Sequence, residues 1–295
     1  MLILIGYLAV LASVFGGYAL AGGHLAALFQ PVELLMIGGA ATGAFICSNS
    51  GKVLKATLKE LGRAFLPSKY NKVAYAQLLS VLYSLLVKIH HQGSISLEAD
   101  LENPQESPIF AAYPKILANH HVVEFICDYF RMIINEDLSV HHVENLMDNE
   151  IETHHHEALM PSHAVAKLAD GMPAFGIVAA VMGVVHTMES ISLPPAELGM
   201  LIAAALVGTF LGILLGYGFI GPLAVIMEQR ANESTQMFQC IKLVILAQMH
   251  KCSNQTAIEF GRKILFSTER PSAKQLDEML EEVKKATRGN ASAST

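Results

Sequence analysis

The chemistry open to this chain is set first by where its ionisable residues are absent. Residues 171–188, GMPAFGIVAAVMGVVHTM, and residues 198–227, LGMLIAAALVGTFLGILLGYGFIGPLAVIM, contain no Asp, Glu, Lys or Arg. Residues 1–22 and 34–51 lack them too, and Glu33, Glu189 and Glu197 stand only at the edges of these runs. A carboxylate inside a membrane span is the usual mark of a proton or cation relay. This chain alone brings none, so either it moves no ion or a partner helix supplies the acid. The polar atoms within the runs are the hydroxyls of Ser13, Thr42, Thr187 and Thr209 and the His186 ring. Such hydroxyls commonly bond back to their own helix.

Other chemistries find little support. His154, His155 and His156 are adjacent, and pairs occur at His90–His91, His120–His121 and His141–His142. Neighbours on a helix point in different directions, so these read as solvated faces and no metal is expected. The charged residues around Lys88, His90, Glu98 and Glu150 likewise read as a solvated face. Cys47, Cys127, Cys240 and Cys252 form no CxxC pair and read as reduced, buried thiols. No GxSxG, GxxxxGK[ST] or GxGxxG context is present, so neither an enzyme nor an organic cofactor is expected. A net charge of −6 gives no nucleic-acid signal.

The elements that hold these residues are helices. Mean hydropathy is +0.41 with only 16% charged residues, and the deficit is concentrated in the runs above. That pattern predicts an all-α membrane protein with four transmembrane helices, a large helical cytoplasmic loop and a helical cytoplasmic C-terminal region. The expected spans are about 2–22 and 34–51 in a first hairpin (1–51), then about 171–191 and 199–222 in a second (171–227). The loop is 52–170 and the tail 228–295. Residues 1–22 lack a basic n-region and read as a retained span, not a leader peptide. All 20 Lys and Arg lie in 52–170 or after Met227, which puts loop, tail and both termini in the cytoplasm. Apolar periodicity predicts helices over 70–89, 121–134, 139–156, 257–266 and 274–286, with 229–249 continuing the fourth span. The final Ser/Ala/Asn-rich stretch reads as disordered.

Gly208, Gly212 and Gly216 recur every four residues on one face of the fourth span. Gly39 and Gly43 do so in the second, and Ala179 and Gly183 in the third. Small faces let helix backbones approach closely. Pro173 and Pro222 stand near the cytoplasmic ends of their spans. Either Pro173 occupies a first turn and Pro222 merely kinks its helix, or both act as hinges.

Several stretches carry a resemblance: MLILIGYLAVLASVFGGY, SLEADLENPQESPIFAAYPKILA, DGMPAFGIVAAVMGVVHTM, PAELGMLIAAALVGTFLGILLGYGFIGPLA and AIEFGRKILFSTERPS. With them the chain resembles the MotA family of flagellar-motor stator subunits over nearly its whole length, and the ExbB and TolQ energising subunits more distantly. The resemblance implies a role in motility and chemotaxis at the bacterial inner membrane. It implies a ring of subunits, five around two copies of MotB, whose single span carries the essential aspartate. It also implies contact between the loop and the rotor protein FliG. The family's prolines match Pro173 and Pro222, and its acidic loop positions match Glu98 and Glu150. Its loop arginine falls on His90, which is only partly charged near neutral pH. This leaves open a weaker positive role there or one shared by Lys88. Thr209 matches a threonine lining the ion path. Ala180 stands where sodium-type members resemble one another in having threonine, which makes protons the expected coupling ion. The alternatives are a sodium-driven stator subunit or an ExbB/TolQ-type transducer of proton-motive force.

Overall fold

The computed structural model describes residues 2–135 and 138–293, and these are almost entirely helical. Helix α1 spans Leu2–Leu20 and α2 Pro31–Ser48, with Pro31 in the first turn, where its missing N–H costs nothing. Asn49 and Ser50 break the chain, and the Ser50 side chain caps the amphipathic helix α3, Gly51–Ala64. Helix α4, Lys72–Gln92, is capped by Asn71 and stopped by Gly93 at φ +84. That left-handed conformation favours glycine. After four short helical segments come α5, His120–Asn135, and α6, Val140–Glu189. Helix α7, Pro195–Met249, follows, then α8, Asn254–Ile264, and α9, Ala273–Ala293.

Among the described residues, five helices are long and apolar enough to cross a membrane, α4 among them. Burial separates them. In α4, 61% of the most apolar window is covered by the rest of the protein, against 6% in α1 and 11% in the helix that includes α2. Helix α4 is therefore the centre of a folded core, while α1, α2 and the apolar parts of α6 and α7 are the four spans.

The chain divides into two compact units, Met1–Pro67 with Glu157–Ala231, and Ser68–His156 with Asn232–Thr295. The composition changes at 52, 170 and 228 thus fall inside units. In the first unit, Thr57 and Ala64 of α3 are buried, and Ala64 packs with Val165, Ala224 and Met227. Arg230 donates to the carbonyls of Arg63, Ala64 and Leu66, which satisfies the end of α3. In the second unit Leu78, Leu82, Leu85 and Leu86 of α4 are fully buried among residues of α5, α7, α8 and α9.

Three expectations need correction. Cys127 and Cys240 are buried, but Cys47 is exposed, because α2 turns that face away from the rest of the chain. Pro173 does not occupy a first turn: α6 carries both Pro161 and Pro173 inside its 50 residues. The polar segment before the span is itself helical, so the helix begins far upstream. The Ser/Ala/Asn-rich end is helical as far as Ala293, as suits its alanines, and residues 294 and 295 lie outside the described residues.

Candidate functional site

The third and fourth spans meet backbone to backbone. A methyl group added at Gly212 would lie 2.7 Å from the Met172 carbonyl oxygen and 2.9 Å from Gly176 Cα. One at Gly208 would lie 3.2 Å from Ala179 Cβ and 3.3 Å from the Ala180 amide nitrogen. The Gly208–Gly212–Gly216 face read from the sequence is therefore the packed face; it meets Ala179, Gly176 and Ala169 of α6, while Gly183 meets Ala205 one turn away. Thr209, half-buried, follows Gly208 directly, so Ala180 and Thr209 lie at the same level of the hairpin. Gly39 and Gly43 differ: nothing lies within 4 Å of a methyl at either.

Each proline is tied into this packing. Proline has no N–H to offer the carbonyl four residues back, which for Pro173 is that of Ala169. A methyl at Gly216 would sit 2.7 Å from that oxygen and 3.2 Å from Pro173 Cδ. The carbonyl released by Pro173 thus faces the third glycine of the opposing span. Pro222 follows a widened π turn over Leu214–Ile220, where the Gly221 N–H reaches Gly216, five residues back. Such turns absorb a local misfit in the hydrogen-bond ladder and are common at functional sites. A groove of about 410 Å³ lined by Ser162, His163, Asp170, Tyr217, Pro222 and Glu228 opens beside this turn.

Of the intramembrane hydroxyls, Thr187 bonds back to the Gly183 carbonyl at 2.9 Å. Glu33 is in the first turn of α2 and only 9% exposed. Its Oε2 has no hydrogen-bond partner among the described residues. Burial of that edge carboxylate was not legible from its position.

The loop residues divide into two kinds. Lys88 is tied inward: its Nζ lies 2.5 Å from Asp100 Oδ2, and the Ser107 hydroxyl donates to Asp100 Oδ1 at 2.6 Å. The Asp100 side chain is only 5% exposed. His90 and Glu98 are both exposed, on either side of the Gly93 turn. Glu150 is also exposed and accepts a 2.7 Å hydrogen bond from the Tyr129 hydroxyl. Burial, then the bond to Glu150, raises the Tyr129 pKa above its ordinary range. Glu150 borders a cavity of about 180 Å³ with His121, Glu124, Asp128 and His154. Among the described residues no three His, Cys, Asp or Glu side chains are placed to hold a metal ion.

Sequence reasoning missed Gly176 and Asp100. Gly176 has a readable signal, since it stands seven residues before Gly183 on one helical stripe. Asp100 has none, being one acid among several in its segment.

Known proteins share this organisation. The motility protein A N-terminal model matches residues 4–93 and the MotA/TolQ/ExbB proton channel family model residues 117–240. Motility protein A of Salmonella typhimurium is 54% identical over 284 residues, covering 96% of each chain. A structure of C. jejuni MotAB superimposes with a TM-score of 0.75 at 19% identity, over 92% of this chain and 98% of that one. The flagellar MotAB stator complex of Bacillus subtilis does so with a TM-score of 0.70 at 20% identity, over 87% and 92%. Two structures so distant in sequence share the fold, and the curated relative adds identity at more than half the positions along nearly all of both chains. The chain belongs to the motility protein A family, within the MotA/TolQ/ExbB proton channel family.

Proposed function

We propose that this protein is a proton-conducting stator subunit of a flagellar motor, converting ion flow into torque on a rotor. The observation that carries the proposal is the hairpin of α6 and α7. It has a backbone-to-backbone contact and two prolines inside it, yet no Asp, Glu, Lys or Arg between Gly171 and Met188 or between Leu198 and Met227. A wall built this way needs a carboxylate from elsewhere to carry a proton. The partner is a MotB-type protein, and several copies of this chain surround it, five in the family's arrangement. Protonation of the partner's aspartate alters its contacts near Ala180 and Thr209. The hairpin then shifts at Pro173 and Pro222.

The polar unit lies in the cytoplasm of a bacterial inner membrane, and both termini face that side. His90, Glu98 and Glu150 present charge to the rotor protein FliG. Lys88 supports this face from behind through Asp100. Ala180 in place of a threonine removes one sodium-ligating oxygen, so the ion is the proton.

The test is complementation of a strain lacking its own stator, with the chain co-expressed with its MotB-type partner. Proton uptake is then followed in membrane vesicles. Rotation and uptake that persist without sodium and need the partner's aspartate are expected. Rotation that requires sodium at constant proton-motive force would overturn the proton assignment. Energising an outer-membrane transporter instead of a rotor would point to the ExbB/TolQ-type role.

A further inference from the structure

Tyr7 lies in the second turn of α1, and its hydroxyl donates a 2.7 Å hydrogen bond to the carbonyl oxygen of Phe219. The two rings pack with centroids 5.0 Å apart. Val10, one turn further along α1, closes on the neighbouring residue: a methyl at Gly218 would lie 3.3 Å from Val10 Cγ1. The backbone that receives Tyr7 is the widened turn Leu214–Ile220, which gives way to regular helix at Gly221 and Pro222. Two features weaken the ladder at this step. Pro222 brings no N–H, and the Gly221 N–H reaches back five residues instead of four. In hydrocarbon a backbone carbonyl cannot turn to water, so the partners it has within the protein decide which turn geometry is stable.

We propose that Tyr7 is a positioning residue for the Pro222 segment. Its hydroxyl holds the widened turn of α7 in one arrangement and registers that turn against α1. When the fourth span bends during the ion cycle, this hydrogen bond is the contact that breaks and re-forms. The proposal rests on the stator reading for its role in rotation, but the contact itself does not. Packing alone would need only the ring. The hydroxyl is what separates positioning from packing, and Tyr7→Phe removes nothing else.

The experiment compares the full complex, chain plus MotB-type partner, with and without Tyr7→Phe. Complexes reconstituted in lipid nanodiscs are followed by hydrogen exchange, and cells by the rotation speed of motors at low load. Amide exchange across residues 214–223 is expected to rise roughly two- to ten-fold, the range that one net hydrogen bond allows. Exchange in α2 stays unchanged. Speed falls by a factor in the same range, while membrane abundance and recruitment to motors stay at the parental level. In a Pro222→Ala background, where an N–H is restored, Tyr7→Phe leaves exchange unaltered. Exchange left unchanged by Tyr7→Phe in the parental chain, which keeps Pro222, overturns the proposal. So does changed exchange at parental speed, or a speed loss that merely follows a loss of assembled complex. If the parental complex fails to turn any motor, the stator reading falls, and the exchange data still decide the contact between Tyr7 and Phe219.

Discussion

The membrane unit and the polar unit bury their apolar residues in different ways. In the polar unit, α4 places Leu78, Leu82, Leu85 and Leu86 in a core closed on every side, with Tyr75, Phe110 and Tyr129 among its largest members. Side chains make those contacts. In the membrane unit the tightest contacts are made by glycines and carbonyl oxygens, and many large side chains point outward: Leu8 is 70% exposed and Leu206 64%. A soluble core is stabilised by removing apolar area from water. Helices in lipid gain little from that term and associate through close packing. The polar unit thus closes an apolar core within one chain, whereas the membrane unit exposes apolar surface for lipid or further helices to cover. A machine that must shift one helix against another is better served by a smooth small-residue contact than by interlocked leucines.

That contrast can be broken first at Gly216. Gly216→Leu drives a side chain into the Ala169 carbonyl and Pro173. Overpacking of about 1–3 kcal/mol or more is expected, with loss of the complex from membranes and of swimming in soft agar. Gly43→Ala meets nothing within this chain and should leave the abundance of the protein unchanged. A Gly216→Leu strain that swims normally would dissolve the distinction. Next, Leu82→Ala should lower the stability of the solubilised chain by about 2–5 kcal/mol, as for other buried leucines. Val178→Ala, at a position 54% exposed, should change it by less than about 0.5 kcal/mol. Thermal melts in detergent compare the two.

A smaller effect is expected at Lys88. Lys88→Met strands the buried Asp100 carboxylate. With Lys88 itself 26% exposed, a loss of about 1–3 kcal/mol follows. Lys88→Met with Asp100→Asn should recover much of it, and His90→Ala should cost almost nothing in stability. A melt of Lys88→Met indistinguishable from that of His90→Ala would return Lys88 to the exposed surface. The smallest effect concerns acid. The hydrogen bond from Arg262, and then its charge, hold Glu259 below its ordinary pKa against the opposing pull of burial. Stability from this pair is present above the unfolded carboxyl range of about 4.3 and is lost as pH falls through the lower folded value. Glu259→Gln should flatten that part of a melting-temperature profile below pH 5 and leave pH 7 to 8 parallel to the parent.

How much of this was legible varies by residue. The glycine face of α7 was, because a four-residue spacing can mean only one helix side. The lack of any Asp, Glu, Lys or Arg in the two spans was also legible, since an absence of charge over such lengths is visible without coordinates. Lys88 and His90 were not separable in the sequence, being two residues apart and both basic. On a helix that spacing is about 200° of rotation, so one points to Asp100 and the other to solvent. Helix α4 has the length and hydropathy of a span; its place in the Lys/Arg-bearing loop set it apart in the sequence, and its burial agrees.

The hairpin of the third and fourth spans divides along the same line. The sequence by itself determined that the two spans are apolar, proline-bearing and free of carboxylates, because these are properties of residue type and spacing. Only the tertiary structure decided which groups meet the backbone carbonyls beside the prolines. The Ala169 carbonyl faces Gly216, and the Phe219 carbonyl takes the hydroxyl of Tyr7, 212 residues away. A backbone carbonyl is the same group at every position, so its partner is set by which helix lies against it and not by any letter in the chain.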